Sequence, residues 1–277
     1  MQATPSLSQE ELALFNELFS GKFGIHYPEH KREILESRLL PRLRANHLQR
    51  FIDYYLLLQY DLDRELDALT RAITNNESYF FRETTQFDAL CQSLEELKAG
   101  GLEDRLRFLS AGCSSGEEPY TLNIVLRDQG YGLQTDELRI DAVDLDSQRL
   151  EQARAGVYRH VSLRALDDAQ TQRLFTRTGE EEYRLKDPFR CGVHFASGNI
   201  LDPLSFAPLA YDAVFCRNVL IYFTEAALKK AIDNFARIVR QDGLLFLGHS
   251  ESIIGLTKAF QAERLGNCIA YRRKEDV

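Results

Sequence analysis

The stretch that most constrains this chain is Arg107-Phe108-Leu109-Ser110-Ala111-Gly112-Cys113-Ser114-Ser115-Gly116-Glu117-Glu118-Pro119-Tyr120. The apolar run 108–111 has the length and density of a strand buried on both faces. Gly112 and Gly116 follow, with the backbone freedom and close approach that a tight loop under a ligand demands. Pro119 fits the first turn of a helix, where its missing N–H is harmless. Strand, glycine loop and helix in this order open a βα nucleotide-binding unit, with free N–H groups at the helix start. The segment predicts a cofactor site within a parallel α/β arrangement.

The chain before it reads as helices. Ser8-Gln9-Glu10-Glu11 fits a capping box, followed by Leu12, Phe15 and Phe19 at helical spacing. A second helix is expected from about Lys31, striped by Ile34, Leu35, Leu39 and Leu43, with Pro41 kinking or splitting it. Two more are expected over 51–58 and along Leu62, Leu66, Leu69 and Ile73. From Arg105 onward strands are expected at 106–111, 138–143, 193–197, 212–216, 244–248 and near 268–272. Helices at 117–128, 146–155 and 224–239 alternate with them. Such alternation predicts an α/β fold with a mostly parallel, doubly wound Rossmann-like sheet. Between 156 and 192 the rhythm breaks, and a small β insertion is expected there. The domains read as a helical one over 1–85 and a cofactor-binding one over 86–277.

Composition narrows the function classes. With 34 basic and 42 acidic residues the net charge is −8, which argues against a general nucleic-acid binder. No apolar run reaches the ~20 residues of a membrane span, and the N-terminus lacks the shape of a signal peptide. The five cysteines are scattered without a C-x-x-C, so neither a disulfide framework nor a metal site is expected, and a reducing cytoplasm is the simplest setting. Residues 31–50 run against the overall balance. Lys31, Arg32, Arg38, Arg42, Arg44 and Arg50 face only Glu33 and Glu36, a local excess of +4.

Gly112-Cys113-Ser114-Ser115-Gly116 also matches G-x-S-x-G, the nucleophile elbow of α/β-hydrolases, with Asp212 and His249 available as partners. Hydrolases of that fold place several strands before the elbow, whereas the preceding residues here look helical. A dinucleotide dehydrogenase would need the tighter G-x-G-x-x-G spacing. A loop closed by glycines for purely structural reasons is the plainest alternative. Against it, Asp144 closes the second strand, Asn199 the third and Arg217-Asn218 the fourth. In an open parallel sheet ligands bind beyond the carboxyl ends of the strands, and an aspartate there suits the hydroxyls of a ribose. Polar residues at successive strand ends predict one adenosine-containing ligand.

Three segments carry a more specific resemblance: Asn75-Asn76-Glu77-Ser78-Tyr79-Phe80-Phe81-Arg82-Glu83, Ala111 to Tyr120, and Phe215-Cys216-Arg217-Asn218-Val219-Leu220-Ile221-Tyr222-Phe223. Together they resemble the chemotaxis receptor methyltransferases, the CheR family, over almost the whole chain. The resemblance implies an S-adenosylmethionine-dependent methyltransferase that esterifies glutamate side chains on the cytoplasmic helices of chemoreceptors. By motif position it implies cofactor contacts from Asn76, Ser78, Arg82, Glu118, Asp144, Asn199, Ile200, Arg217 and Asn218. Ser78 stands where the family often has threonine and keeps the hydroxyl. Arg82 and Tyr222 would lie near the transferred methyl as catalytic residues. A monomer is expected, with no nucleic-acid partner and no direct membrane insertion.

The chemistry agrees with this implication. Glutamate, with a pKa of about 4.3, is already an ionised nucleophile at neutral pH, so no general base is required. The basic helix, through Arg38, Arg42 and Arg44, is expected to dock a glutamate-rich substrate. Some members of the family grip a receptor C-terminal peptide with a hairpin in the catalytic domain. Here the turn of that hairpin carries Glu180-Glu181-Glu182, which predicts an enzyme independent of such a tether. A methyltransferase of the same fold acting on another protein, or a receptor-binding module without turnover, are the alternatives.

Overall fold

In the computed structural model residues 5–99, 105–132, 137–202 and 206–274 are described. Residues 1–4, where a targeting signal would begin, lie outside them. The chain forms two units, one of Met1–Asn75 with Ile221–Lys230, the other of Asn76–Leu220 with Ala231–Val277. The expected division at residue 85 falls later than the observed one, because the segment from Asn76 onward belongs to the second unit.

The first unit contains α1 (Gln9–Phe23), α2 (Arg32–Ala45), α3 (Phe51–Tyr60) and α4 (Leu62–Ile73). The expected capping box starts α1: Ser8 Oγ accepts the Glu11 N–H at 3.1 Å, and the Ser8 N–H donates to Glu11 Oε2 at 2.9 Å. Glu11 uses its other oxygen to accept the Ile52 N–H at 2.8 Å, so the same cap fixes the start of α3. Phe15, Phe19, Leu35, Leu39, Leu43 and Tyr54 form the buried interior of this unit. Pro41, expected to kink or split α2, does not split it. Pro41 is exposed and so is Ser37, whose carbonyl loses its partner to the proline and can turn to water.

The basic excess of α2 is directed less to solvent than its composition predicts. Arg42 donates from Nε and Nη2 to Glu65 at 2.7–2.9 Å, and the Tyr54 hydroxyl donates to the same carboxylate at 3.0 Å. Arg38 Nη1 donates to the Tyr27 hydroxyl at 2.9 Å and to the Thr74 carbonyl at 3.2 Å. Only Arg44 of the three expected docking arginines is exposed. Arg38 and Arg42 thus make bonds that hold the helical unit together.

The second unit begins with α5 (Thr85–Ala99), a helix absent from the sequence reading. Then come β1 (Leu106–Ala111), α6 (Glu117–Asp128), β2 (Leu138–Asp144), α7 (Ser147–Ala155) and β3 (Val157–Arg159). They are followed by α8 (Asp168–Leu174), β4 (Phe175–Arg177), β5 (Glu182–Leu185), β6 (Val193–Ser197) and β7 (Tyr211–Cys216). Finally come α9 (Glu225–Ile238), of which the residues from Ala231 onward belong to this unit, β8 (Val239–Leu247), β9 (Phe260–Leu265) and β10 (Cys268–Arg273).

Among the described residues, one sheet has seven strands in the order β6-β2-β1-β7-β8-β10-β9. Neighbours from β6 to β8 run parallel, while β10 is antiparallel to both β8 and β9. This is a mostly parallel doubly wound α/β fold, as expected. The unexpected β9 is an edge strand whose Gln261, Glu263 and Arg264 leave it without the apolar density that marks its neighbours. Strand order reverses between β1 and β7, the switch point where such sheets open a crevice for ligands.

A second sheet, β3-β5-β4, is antiparallel and forms the insertion. Its interior receives Phe80 from outside, edge-on to Tyr158 at 4.8 Å and Phe175 at 5.0 Å between ring centroids. The Phe80 N–H also donates to the Ser162 carbonyl at 2.9 Å. These contacts tie residues 76–82 to the sheet unit.

The Arg42–Glu65 pair yields a prediction. Glu65 is 4% exposed, so its removal strands a partly buried guanidinium, and Glu65→Ala should cost about 3 kcal/mol in denaturant unfolding. Burial pushes the Glu65 carboxyl up, but bonds from Arg42, Asn46 and Tyr54 outweigh it and hold it below its ordinary value. The pair's contribution is therefore complete above the unfolded pKa of about 4.3 and disappears as pH falls through the lower folded value. Wild type and Glu65→Ala should converge in stability in that acidic window, as followed by circular dichroism.

Candidate active site

The glycine loop after β1 is built under tight constraint. The N–H groups of Gly112 and Cys113 both donate to the Val143 carbonyl, at 2.8 and 3.0 Å. Gly112 has φ +81°, and a Cβ there would collide with the Val219 side chain. Gly116 has φ +90°, and a Cβ would come within 2.9 Å of Ala153. Neither position accepts a side chain, so the backbone itself forms the floor of the crevice.

Asp144, at the end of β2, is 8% exposed. Its Oδ2 accepts the Ser114 N–H at 2.7 Å and its Oδ1 the Asp146 N–H at 2.8 Å. Each carboxylate oxygen has two lone pairs, so these bonds leave acceptor capacity for a diol. Asn76 Nδ2 donates to Asp146 Oδ2 at 2.9 Å, bringing the 76–82 segment against the end of β2. Ser78 hydrogen-bonds to Glu117, whose carboxylate is buried and also accepts from Ser115 and Ser162. Asn76, Ser78 and Glu117 share the wall of a cleft of about 520 Å³ with Ser115, Tyr158 and Arg164.

Beyond β6, the Gly198 N–H donates to the Asp144 carbonyl at 3.1 Å, and Asn199 Oδ1 accepts the Leu201 N–H at 2.9 Å. Ile200 is buried, and its carbonyl accepts Asn234 Nδ2 at 2.9 Å. Beyond β7, Arg217 is buried between two carboxylates. Its Nη1 donates to Glu118 Oε2 at 3.1 Å, and its Nη2 to Glu83 Oε2 at 2.9 Å and to the Arg82 carbonyl at 2.7 Å. Glu118 also accepts the Ser110 hydroxyl at 2.7 Å. Arg82 donates from Nη1 to the Glu77 carbonyl at 3.1 Å. The nine expected cofactor contacts thus all lie in the sheet unit. Tyr222 lies in the helical unit, where its hydroxyl accepts Asn75 Nδ2 at 2.8 Å.

The hydrolase reading of the loop fails on geometry. Asp212 stands at the start of β7, while His249 follows the end of the parallel neighbour β8, so they belong to opposite ends of the strands. Ser114 donates its hydroxyl to the Asn76 carbonyl at 3.3 Å.

The family description "CheR methyltransferase, SAM binding domain" matches residues 76–268, and "CheR methyltransferase, all-alpha domain" matches residues 10–74. The chain belongs to the CheR methyltransferase family. It is 36% identical to the chemotaxis protein methyltransferase of Salmonella typhimurium, covering 92% of this chain and 88% of that one. It is 35% identical to that of Escherichia coli, covering 92% and 88%. Chemotaxis protein methyltransferase 2 of Vibrio cholerae is 31% identical, covering 96% and 93%.

As a CheR methyltransferase, the chain binds S-adenosylmethionine, and the residues present fit that ligand. Arg217 Nε is buried without a hydrogen-bond partner, a donor suited to a carboxylate. Burial raises the pKa of Glu118, against the opposing effect of Arg217, and burial likewise raises that of Asp144 against its N–H donors. A ligand bearing a sulfonium and an ammonium would favour the ionised form of both. Among the described residues no group of three or more His, Cys, Asp or Glu could hold a metal.

Three residues beside this site, Glu83, His249 and Glu251, were not among the expected cofactor contacts. His249 Nδ1 lies 2.8 Å from Glu83 Oε2, and Glu251 Oε2 accepts the Asn218 N–H at 2.8 Å. The signal was available, because Gly248-His249-Ser250-Glu251 stands at a fifth parallel strand end, subject to the rule that singled out the other four.

Asp144→Ala should weaken S-adenosylhomocysteine binding roughly 10- to 100-fold in calorimetry, the loss of about 1.5–3 kcal/mol for a buried charged acceptor. Asp144→Asn keeps one carbonyl oxygen and should lose less. An unchanged affinity in both variants would remove Asp144 from the ligand's contacts.

Proposed function

We propose that the chain transfers the methyl group of S-adenosylmethionine to glutamate side chains on the cytoplasmic helices of chemoreceptors, giving methyl esters in the cytoplasm. The observation that carries this reading is the relationship to chemotaxis protein methyltransferases along nearly the whole chain, helical unit included. The bound cofactor supplies an electrophilic methyl on a sulfonium, whose C–S bonding electrons return to sulfur as the new O–C bond forms. The glutamate oxygen attacks as a carboxylate, so no proton has to leave it.

The protein's contribution is then alignment, which can supply roughly 7–11 kcal/mol in favourable cases. Arg217, fixed between Glu83 and Glu118, holds the amino-acid end of the cofactor through Nε. Asp144 and Asn199 hold the adenosine at the ends of β2 and β6. Arg82 orients the acceptor carboxylate with its planar fork. The assignment of Tyr222 to the methyl rests on its motif position alone. Receptor docking falls to Arg44, the exposed one of Arg38, Arg42 and Arg44.

Incubation with methyl-labelled cofactor and receptor-containing membranes should give base-labile label released as methanol. Arg82→Ala should cut turnover far more than it lowers the melting temperature. Stable label, or label on another protein, would point to a different acceptor.

Arg44→Glu should slow receptor methylation at low salt while leaving S-adenosylhomocysteine binding intact. The difference from wild type should shrink as salt rises, because exposed charges are screened over about 8–10 Å at physiological strength. Methylation of receptor lacking its C-terminal tail should proceed at the full-length rate. If it fails there while Arg44→Glu is indifferent, docking belongs to the hairpin of β4 and β5.

A further inference from the structure

The loop after β8 bears on Arg217 and Asn218 by two separate routes. Glu251 Oε2 accepts the backbone N–H of Asn218 at 2.8 Å and that of Gly248 at 2.6 Å. His249 Nδ1 lies 2.8 Å from Glu83 Oε2, the oxygen that also accepts Arg217 Nη2 at 2.9 Å. One route acts on the main chain, the other on the guanidinium.

Asn218 needs such a hold. Its φ of +60° lies in the left-handed region, which asparagine tolerates better than other non-glycine residues but which lies outside its main basins, so a contact at its N–H helps to keep it there. The Glu251 carboxylate supplies that contact, and releasing it would let the peptide between Arg217 and Asn218 rotate. The fit leaves no slack, since a Cβ at Gly248 would stand 2.8 Å from Glu251 Oε2 and 2.9 Å from the Asn218 nitrogen.

We propose that Glu251 is a positioning residue for the cofactor, locking Asn218 in its left-handed conformation so that Arg217 and Asn218 face S-adenosylmethionine. The inference rests on the reading of Arg217 and Asn218 as cofactor contacts. His249 and Glu83 reinforce the arrangement from the side-chain end.

The test is calorimetric titration with S-adenosylhomocysteine, beside steady-state kinetics. Glu251→Ala should raise Kd about tenfold, the effect of losing one hydrogen bond to a charged acceptor, with binding stoichiometry unchanged. KM for the cofactor should rise in step while kcat stays within about twofold, because the lost contact serves binding. Glu251→Gln presents a carbonyl oxygen to the same N–H groups and should restore most of the affinity. Gly248→Ala, with the carboxylate intact but the contact forced apart, should raise Kd like Glu251→Ala, and it decides the matter should that variant not fold. A lower stoichiometry at unchanged Kd would mean a role in stability alone and would overturn the proposal. Arg217→Gln separates the two levels of the argument. If it leaves Kd unchanged, the cofactor assignment of the pair fails; if it weakens binding while Gly248→Ala and Glu251→Ala do not, only the bracing role fails.

Discussion

The sheet unit depends on one buried guanidinium. Arg217 places a full positive charge at the switch point of the sheet, in the company of Glu83 and Glu118. Desolvating such a cluster is costly, and apolar residues of similar volume would often serve stability as well or better. Its justification lies in geometry. A planar group gripped at both terminal nitrogens has its remaining edge fixed in direction, and that edge is the unpartnered Nε. Phe87 adds a flat apolar surface, its ring centroid 5.4 Å from the guanidinium carbon. The direction of that donor was thus settled when the protein folded.

The buried charges also explain why the segment from 76 to 83 belongs with the sheet although it follows the helical unit in the chain. Glu83 contributes a carboxylate and Arg82 a carbonyl to Arg217, while Asn76 bonds Asp146. Phe81 and Glu83 both take positive φ, so the segment is held by its contacts and not by a regular ladder of its own.

How much of this was legible in the sequence follows from how each residue acts. The parallel strands could be read because burial on both faces leaves dense apolar runs such as Tyr211–Cys216. The strand-end residues could be read because topology dictates where ligands bind. The edge strand Phe260–Leu265 was hidden by its own exposure, which fills it with polar residues. Net charge along Arg32–Ala45 was a poor guide to surface potential, because a sequence does not reveal that Arg42 meets Glu65 and Tyr54, or that Arg38 meets Tyr27. The place of Glu251 past a parallel strand end was legible, but its pairing was not, because its partner is a main-chain N–H, which leaves no mark on residue identity.

The aromatic plug at Phe80 makes the β insertion and the segment 76–82 a single inheritance. A ring buried in the small sheet holds in register the stretch that carries Asn76, Ser78 and Arg82. The insertion therefore cannot be treated as a detachable cassette. A chimera that borrowed this hairpin sheet from a relative to change its partner would also have to borrow residues 76–82, or the cleft lined by Asn76 and Ser78 would lose one wall.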